Sequence, residues 1–195
     1  TQAESSAASD VYKRQVGIGQ GYWTATPMQI AKATSLLINH GKIKAPHLLK
    51  AVIEHGDNFE KQVDVEPKDL PSIDNVPDKF WDIPINAMRL VNNGAHGSGR
   101  RAFKGAEYSS GGKSGTAQVY SLRKDEIYNS KKLANHLLDH ALFTAFAPYE
   151  NPKYVATVVI EHGNGGSKVG APFIRQVFDH VLVHHEQSKE NPHQS

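Results

Sequence analysis

Cysteine is absent from the 195 residues of this chain. That excludes a disulfide framework and any thiolate nucleophile, and it fits a periplasmic or other extracytoplasmic setting. An excess of one charge is also missing. Twenty-two basic and 20 acidic residues leave a net charge of +2, so no strong pull toward nucleic acid or an acidic surface is implied. There is no apolar run long enough to cross a bilayer and no signal-peptide pattern, so any segment that exports or anchors the protein is expected outside this chain. What is present is an apolar content of 38%, which at this length allows one domain with a sizeable core. Eleven histidines are also present. His136 and His140, like His180 and His184, are four apart on expected helices. Two ligands do not make a metal site, so these are expected to be solvated helix-face residues.

The rest of the chain is organised around Ser109-Ser110-Gly111-Gly112-Lys113-Ser114-Gly115-Thr116-Ala117-Gln118. Side chains alternate between the faces of a strand, so Lys113 and Gly115 are expected on one face and Ser114 and Thr116 on the other, unless a bulge intervenes. Lys113 offers a cation to a nearby hydroxyl or carboxylate. Gly115 lets a substrate lie close to the backbone. Ser114 and Thr116 offer hydroxyls, and the N–H groups beyond Gly115 can face a developing oxyanion. Taken alone, the same residues also read as a glycine-rich loop running into a strand. Gly112-Lys113-Ser114 resembles the end of a phosphate loop, but that motif needs a glycine where Glu107 stands, and a helix where Ala117-Gln118-Val119-Tyr120 alternates like a strand.

Taken in order, residues 1–15 are polar and aperiodic, and are expected to be a non-native or disordered tail. Gly17-Ile18-Gly19-Gln20-Gly21 lacks the preceding strand and the spacing of a dinucleotide fingerprint. Thr26, Pro27 and Gln29 form a capping-box start for a helix, with Ile30, Ala33, Thr34 and Leu37 on one face and Gly41 as its stop. Residues 47–55 and 58–65 read as a hairpin about Gly56-Asp57, followed by a loop over 66–77. A helix is expected over 82–92, with Ile85, Met88 and Val91 on one face, Pro84 in its first turn and Gly94 ending it. Residues 97–101 read as a flexible basic loop. The Lys-Ser-Gly strand is followed by an insert whose second half, from about Ser130, reads as an amphipathic helix carried by Leu133, Ala134 and Leu137. Strands over 141–147 and 154–161 make an antiparallel hairpin. Residues 162–170 carry four glycines and read as a mobile loop. A helix over 171–185 is expected to turn Phe173, Val177, Phe178, Val181 and Leu182 toward a core, before a polar tail from 186 to 195. Local strand pairs with helices packed on them indicate an α+β fold.

Gly-Ile-Gly-Gln-Gly-Tyr-Trp-Thr-Ala-Thr-Pro-Met-Gln-Ile, then Lys-Ser-Gly-Thr-Ala-Gln-Val, then Thr144-Ala145-Phe146-Ala147-Pro148 with Asn151-Pro152, resembles the C-terminal part of the transpeptidase domain of penicillin-binding proteins. The similarity is to the penicillin-binding protein 2 type, the class B, elongation-specific peptidoglycan D,D-transpeptidases, and runs from about Val16 to about Leu182. Leu137-Leu138-Asp139-His140 before the Phe-Thr-Ala-Phe strand favours that subgroup. The resemblance implies a partial domain over 16–185 with an antiparallel sheet packed by helices, related to serine β-lactamases. It also implies an acyl-serine enzyme that cross-links stem peptides and is acylated by β-lactams. On that pattern Lys113 joins the active-site hydrogen-bond network, Ser114, Gly115 and Thr116 bind the substrate carboxylate, and the N–H of Thr116 is half of the oxyanion hole. No metal or organic cofactor is implied. Implied partners are peptidoglycan stem peptides, β-lactams, a SEDS-type glycosyltransferase and elongation-complex proteins, at the periplasmic face of the inner membrane. The family's helical Ser-x-x-Lys and its Ser-x-Asn are not found. Ser110 to Lys113 and Ser121 to Lys124 match the first as text, but neither opens a helix, so both are read as coincidence. The chain therefore reads as one wall of an active site, inactive alone. A penicillin-binding sensor or scaffold module and a serine β-lactamase relative stay open as alternatives.

Overall fold

Helix α1 (Pro27–Ile38) starts on the capping box written in its sequence. Gln29 N–H donates to the Thr26 hydroxyl at 3.2 Å, and Thr26 N–H donates to the Gln29 side chain at 2.8 Å. The computed structural model describes residues 24–56, 59–119 and 134–184. The glycine stretch 17–21, Ser121 to Lys124, and both tails (1–15, and 186–195) lie outside them. On α1, Thr34 is buried and Ala33 is exposed, so the inward face is narrower than the sequence spacing suggested. Strands β1 (Ala51–Gly56) and β2 (Phe59–Asp64) pair antiparallel as the expected hairpin.

Helix α2 (Asp78–Asn93) begins four residues earlier than the sequence indicated and carries Pro84 in its interior. Packing overrides the local preference here. Trp81, Ile85 and Met88 are buried against Phe146, with Leu36, Leu37 and Ile38 of α1 beside them, and that cluster holds the first turns in helical form. Gly94 caps the end, its N–H donating to the Leu90 carbonyl. The expected flexible loop after it is ordered instead. Gly99 is buried, and Arg100 opens a one-turn helix, α3 (Arg100–Phe103), which places Phe103 in the core.

Strands β3 (Gly111–Ala117), β4 (His140–Ala147) and β5 (Tyr154–Ile160) form an antiparallel sheet in that order. Between β3 and β4, the described part of the expected amphipathic helix is a single 3₁₀ turn, Asn135–Leu137; Leu133 lies outside the described residues. Central β4 is covered on both faces, which explains its nearly continuous apolar run. Thr144 and Phe146 face α1 and α2. Phe143, Ala145 and Ala147 face helix α4 (Ala171–Phe178) and pack with Phe103, Ile174, Phe178 and Leu182.

Residues 162–170 are not a free loop. Gly166–Gly170 forms a wide π-type turn that runs directly into α4, and Asp179–His184 continues it with a second. The glycines serve close contact rather than freedom: Gly163, Gly166 and Gly170 rest on Ala141, Leu142 and Phe143 of β4. On α4 the buried set is Ala171, Ile174 and Phe178, and Leu182 of the turn that follows packs with them. Phe173 and Val177, expected inward, are exposed, because the face turned to β4 is the one that carries Ala171, Ile174 and Phe178 at helical spacing.

Candidate active site

The pairing of β3 with β4 runs without a bulge, Gly111 opposite Phe146 through to Ala117 opposite His140. The alternation expected for the motif therefore holds along its length. Lys113 stands opposite Thr144 and Gly115 opposite Leu142, on the face covered by α1 and α2. Ser114 stands opposite Phe143 and Thr116 opposite Ala141, on the face covered by α4. Among the described residues β3 is an edge strand, so its outer N–H and C=O groups border the side chains of both faces. Such an edge can receive an extended peptide as an added strand, with flanking side chains to read it.

Contacts at Ser110, Gly111 and Gly112 fix where this edge begins. Gly111 lies under the Phe146 ring, where a Cβ would come within 2.5 Å of it; beside it is Met88 of α2. Buried Asn92 donates from Nδ2 to the Ser110 hydroxyl at 3.0 Å, and Asn93 donates to the Ser110 carbonyl at 2.6 Å. Gly112 passes Phe143 and the Asn92 amide so closely that a Cβ would meet them at 2.8 and 2.9 Å. The start of β3 is thus clamped to the last turn of α2, while Lys113, Thr116 and Ala117 are exposed. Lys113 Nζ donates to the Ser114 carbonyl.

Ser110 is 1% exposed and spent on Asn92, in an extended segment where it does not share a face with Lys113. It cannot act with Lys113 as a nucleophile and its base, in agreement with reading that Ser-x-x-Lys as coincidence. Ser121 to Lys124 falls outside the described residues.

Sequence reasoning did not find the hydroxyl chain behind Lys113. Thr144, its cross-strand neighbour, bonds Thr157 of β5 at 2.8 Å and Thr34 of α1 at 3.1 Å; Thr34 donates onward to the Ile30 carbonyl at 2.9 Å. The available signal was a threonine inside the apolar string Ala-Leu-Phe-Thr-Ala-Phe-Ala. At the far end of the sheet, Glu150 accepts from Ser109. That donation and its own backbone N–H hold its carboxyl below the usual range, with a smaller contribution from Arg89. Of the two histidine pairs, the first does not share a helix, since His136 is in the 3₁₀ turn and His140 is in β4, whereas His180 and His184 both lie in the Asp179–His184 turn. Among the described residues no three metal-ligating side chains come together.

The family model described as the penicillin binding protein transpeptidase domain matches residues 2–179. A curated relative, the peptidoglycan D,D-transpeptidase MrdA of Haemophilus influenzae, is 50% identical over 167 residues, 86% of this chain and 25% of the relative. Among solved structures, Pseudomonas aeruginosa PBP2 in complex with WCK 5153 is similar at a TM-score of 0.67 and 38% identity, over 87% of this chain and 33% of that one. The complex between PBP2 and MreC from Helicobacter pylori is similar at a TM-score of 0.65 and 29% identity, over 88% of this chain and 27% of that one. The chain spans about a quarter of the length of the curated relatives it matches.

Proposed function

The chain belongs to the penicillin binding protein transpeptidase domain family, and from that membership we propose that it is the C-terminal wall of the active site of an elongation-type peptidoglycan D,D-transpeptidase. The whole protein cleaves the D-Ala-D-Ala bond of a donor stem peptide through an acyl-serine, releases D-alanine, and passes the acyl group to an acceptor amine. A β-lactam acylates the same serine. The nucleophile and its base come from a part of the protein outside these residues, since a paired nucleophile and base are the core of this chemistry.

The observation that carries this reading is the unbulged edge strand with Lys113 on one side and Ser114 and Thr116 on the other. A stem peptide lies along that edge. Lys113 supplies the positive charge of the hydrogen-bond network around the serine, and the hydroxyls of Ser114 and Thr116 take the terminal carboxylate. Gly115 lets the peptide approach the backbone, and the Thr116 N–H points at the carbonyl oxygen as it becomes an oxyanion. Fixed donors of this kind need no reorganisation during the reaction. The domain works outside the cytoplasm, at the outer face of the membrane. There the whole protein pairs with a SEDS-type glycosyltransferase and with elongation-complex proteins, as the MreC complex of the Helicobacter pylori relative suggests by analogy.

The test is Lys113→Ala in the full-length protein that carries this chain. Lys113 is exposed, so the melting temperature should stay unchanged. Acylation by a fluorescent penicillin should slow on the order of 10²–10³-fold. Acylation at the parental rate would overturn the assignment.

A further inference from the structure

His140 opens β4 directly opposite Ala117, the last residue of β3. Its Nδ1 lies 3.0 Å from the backbone nitrogen of His162. A backbone N–H can only donate, so this Nδ1 is the unprotonated acceptor. The His162 Nδ1 lies 3.1 Å from the Leu138 carbonyl, which can only accept, so that nitrogen carries its proton. Asn164 N–H donates to the Asp139 carbonyl at 2.9 Å. Three hydrogen bonds therefore tie the turn at 162–164 to residues 138–140. The turn needs such ties, because His162 (φ 55°) and Asn164 (φ 62°) are both left-handed without being glycine.

What the turn delivers lies under the Ser-Gly-Thr segment. A Cβ on Gly166 would fall 1.9 Å from the Leu142 carbonyl oxygen and 2.8 Å from the Gly115 carbonyl oxygen. The segment's backbone thus presses on the β3–β4 pair at Gly115. Gly163 and Gly170 seat it on Ala141 and Phe143 to either side.

We propose that His140 is a positioning residue for the acyl-transfer reaction: by accepting the His162 N–H it holds the 162–170 segment against Gly115, and so fixes the backbone from Ser114 to Thr116. The proposal rests on the reading of β3 as the substrate strand. It concerns placement, not proton transfer. His140 faces the turn, and its effect reaches the substrate only through the Gly166–Gly115 contact.

Three variants of the full-length protein test it: His140→Ala, His140→Asn and Gly166→Ala. Asparagine carries a carbonyl oxygen one bond beyond Cγ, as histidine carries Nδ1, and can accept the same N–H. The readouts are deuterium exchange of peptides covering 112–119 and 160–168, and penicillin acylation separated into the pre-equilibrium constant and the first-order step. His140→Ala is expected to speed exchange in both peptides and to slow the first-order step about 10-fold, with little change in the pre-equilibrium constant, since a small misplacement acts on the reacting geometry. His140→Asn should restore both readouts to within about twofold. Gly166→Ala, with His140 intact, should reproduce the His140→Ala phenotype, and keeps the idea testable should His140→Ala not fold. Parental exchange at 112–119 in His140→Ala or Gly166→Ala would overturn it, as would His140→Asn behaving like His140→Ala. If the unmodified full-length protein takes no penicillin, the transpeptidase reading fails instead, and the exchange data still decide whether the latch exists.

Discussion

Tyr108 donates its hydroxyl to Asp179 at 2.8 Å, while Arg175 binds the same carboxylate oxygen at 2.6 Å and reaches the carbonyls of Lys104 and Gly105. This cluster ties the end of α3 to the end of α4. Burial first, and then the bond to Asp179, push the Tyr108 hydroxyl far above its ordinary range. The sign follows from linkage. A proton held more tightly in the folded state contributes stability that is complete below the unfolded value of about 10 and is lost as pH rises above it. Urea denaturation should therefore show stability falling above about pH 10, and Tyr108→Phe should flatten that fall. An unchanged alkaline slope in Tyr108→Phe would mean that the cluster is not coupled to folding. Nothing in the sequence pointed to this trio, because its partners are 67 and 71 positions away from Tyr108. The faces of Lys113, Ser114, Gly115 and Thr116 were legible, because a two-residue period assigns them once β3 pairs with β4 without a bulge.

At the scale of elements, the helix start at Thr26-Pro27-Met28-Gln29 and the stop at Gly94 were written locally and formed as written. The early start of α2 was not, since it depends on Trp81 and Ile85 meeting Phe146, a contact across some 60 residues. The 162–170 segment was misread for a related reason. Four glycines suggest freedom when seen alone, and become close contact only once β4 lies beneath them. The same lesson applies to α4, where the helical period holds but the inward face is that of Ala171, Ile174 and Phe178, leaving Phe173 outside. Phe178 is 1% exposed and Phe173 is 52% exposed. Phe178→Ala should cost about 3–5 kcal/mol. Phe173→Ala should stay within about 0.5 kcal/mol, as befits a surface position. Equal losses in urea melts of the two variants would contradict the observed helix rotation.

At the scale of the whole molecule, apolar surface is left uncovered in two places. On α2, Phe80, Ile83 and Leu90 are exposed along one side, facing away from the Trp81, Ile85 and Met88 set. The β1–β2 region adds Leu48, Leu49, Val52 and Ile53. Apolar exposure concentrated on one helix side and around one hairpin marks surfaces that meet another body. If the chain is one wall of a larger domain, it should bind a hydrophobic dye and self-associate when isolated, and the full-length protein should do neither. A monomeric, dye-silent chain would argue that these faces are tolerated as they are. The α+β class was legible from local strand pairs, whereas the order β3-β4-β5 with both faces of β4 covered required the structure. The central claim is that these residues form one side of an acyl-serine site whose nucleophile lies elsewhere in the protein. Intact-mass analysis with peptide mapping after incubation with a penicillin tests it most directly. The account predicts no adduct on this chain, and one adduct per full-length protein at a serine outside these 195 residues. A stoichiometric adduct on Ser110, or on any other serine within the chain, would contradict it.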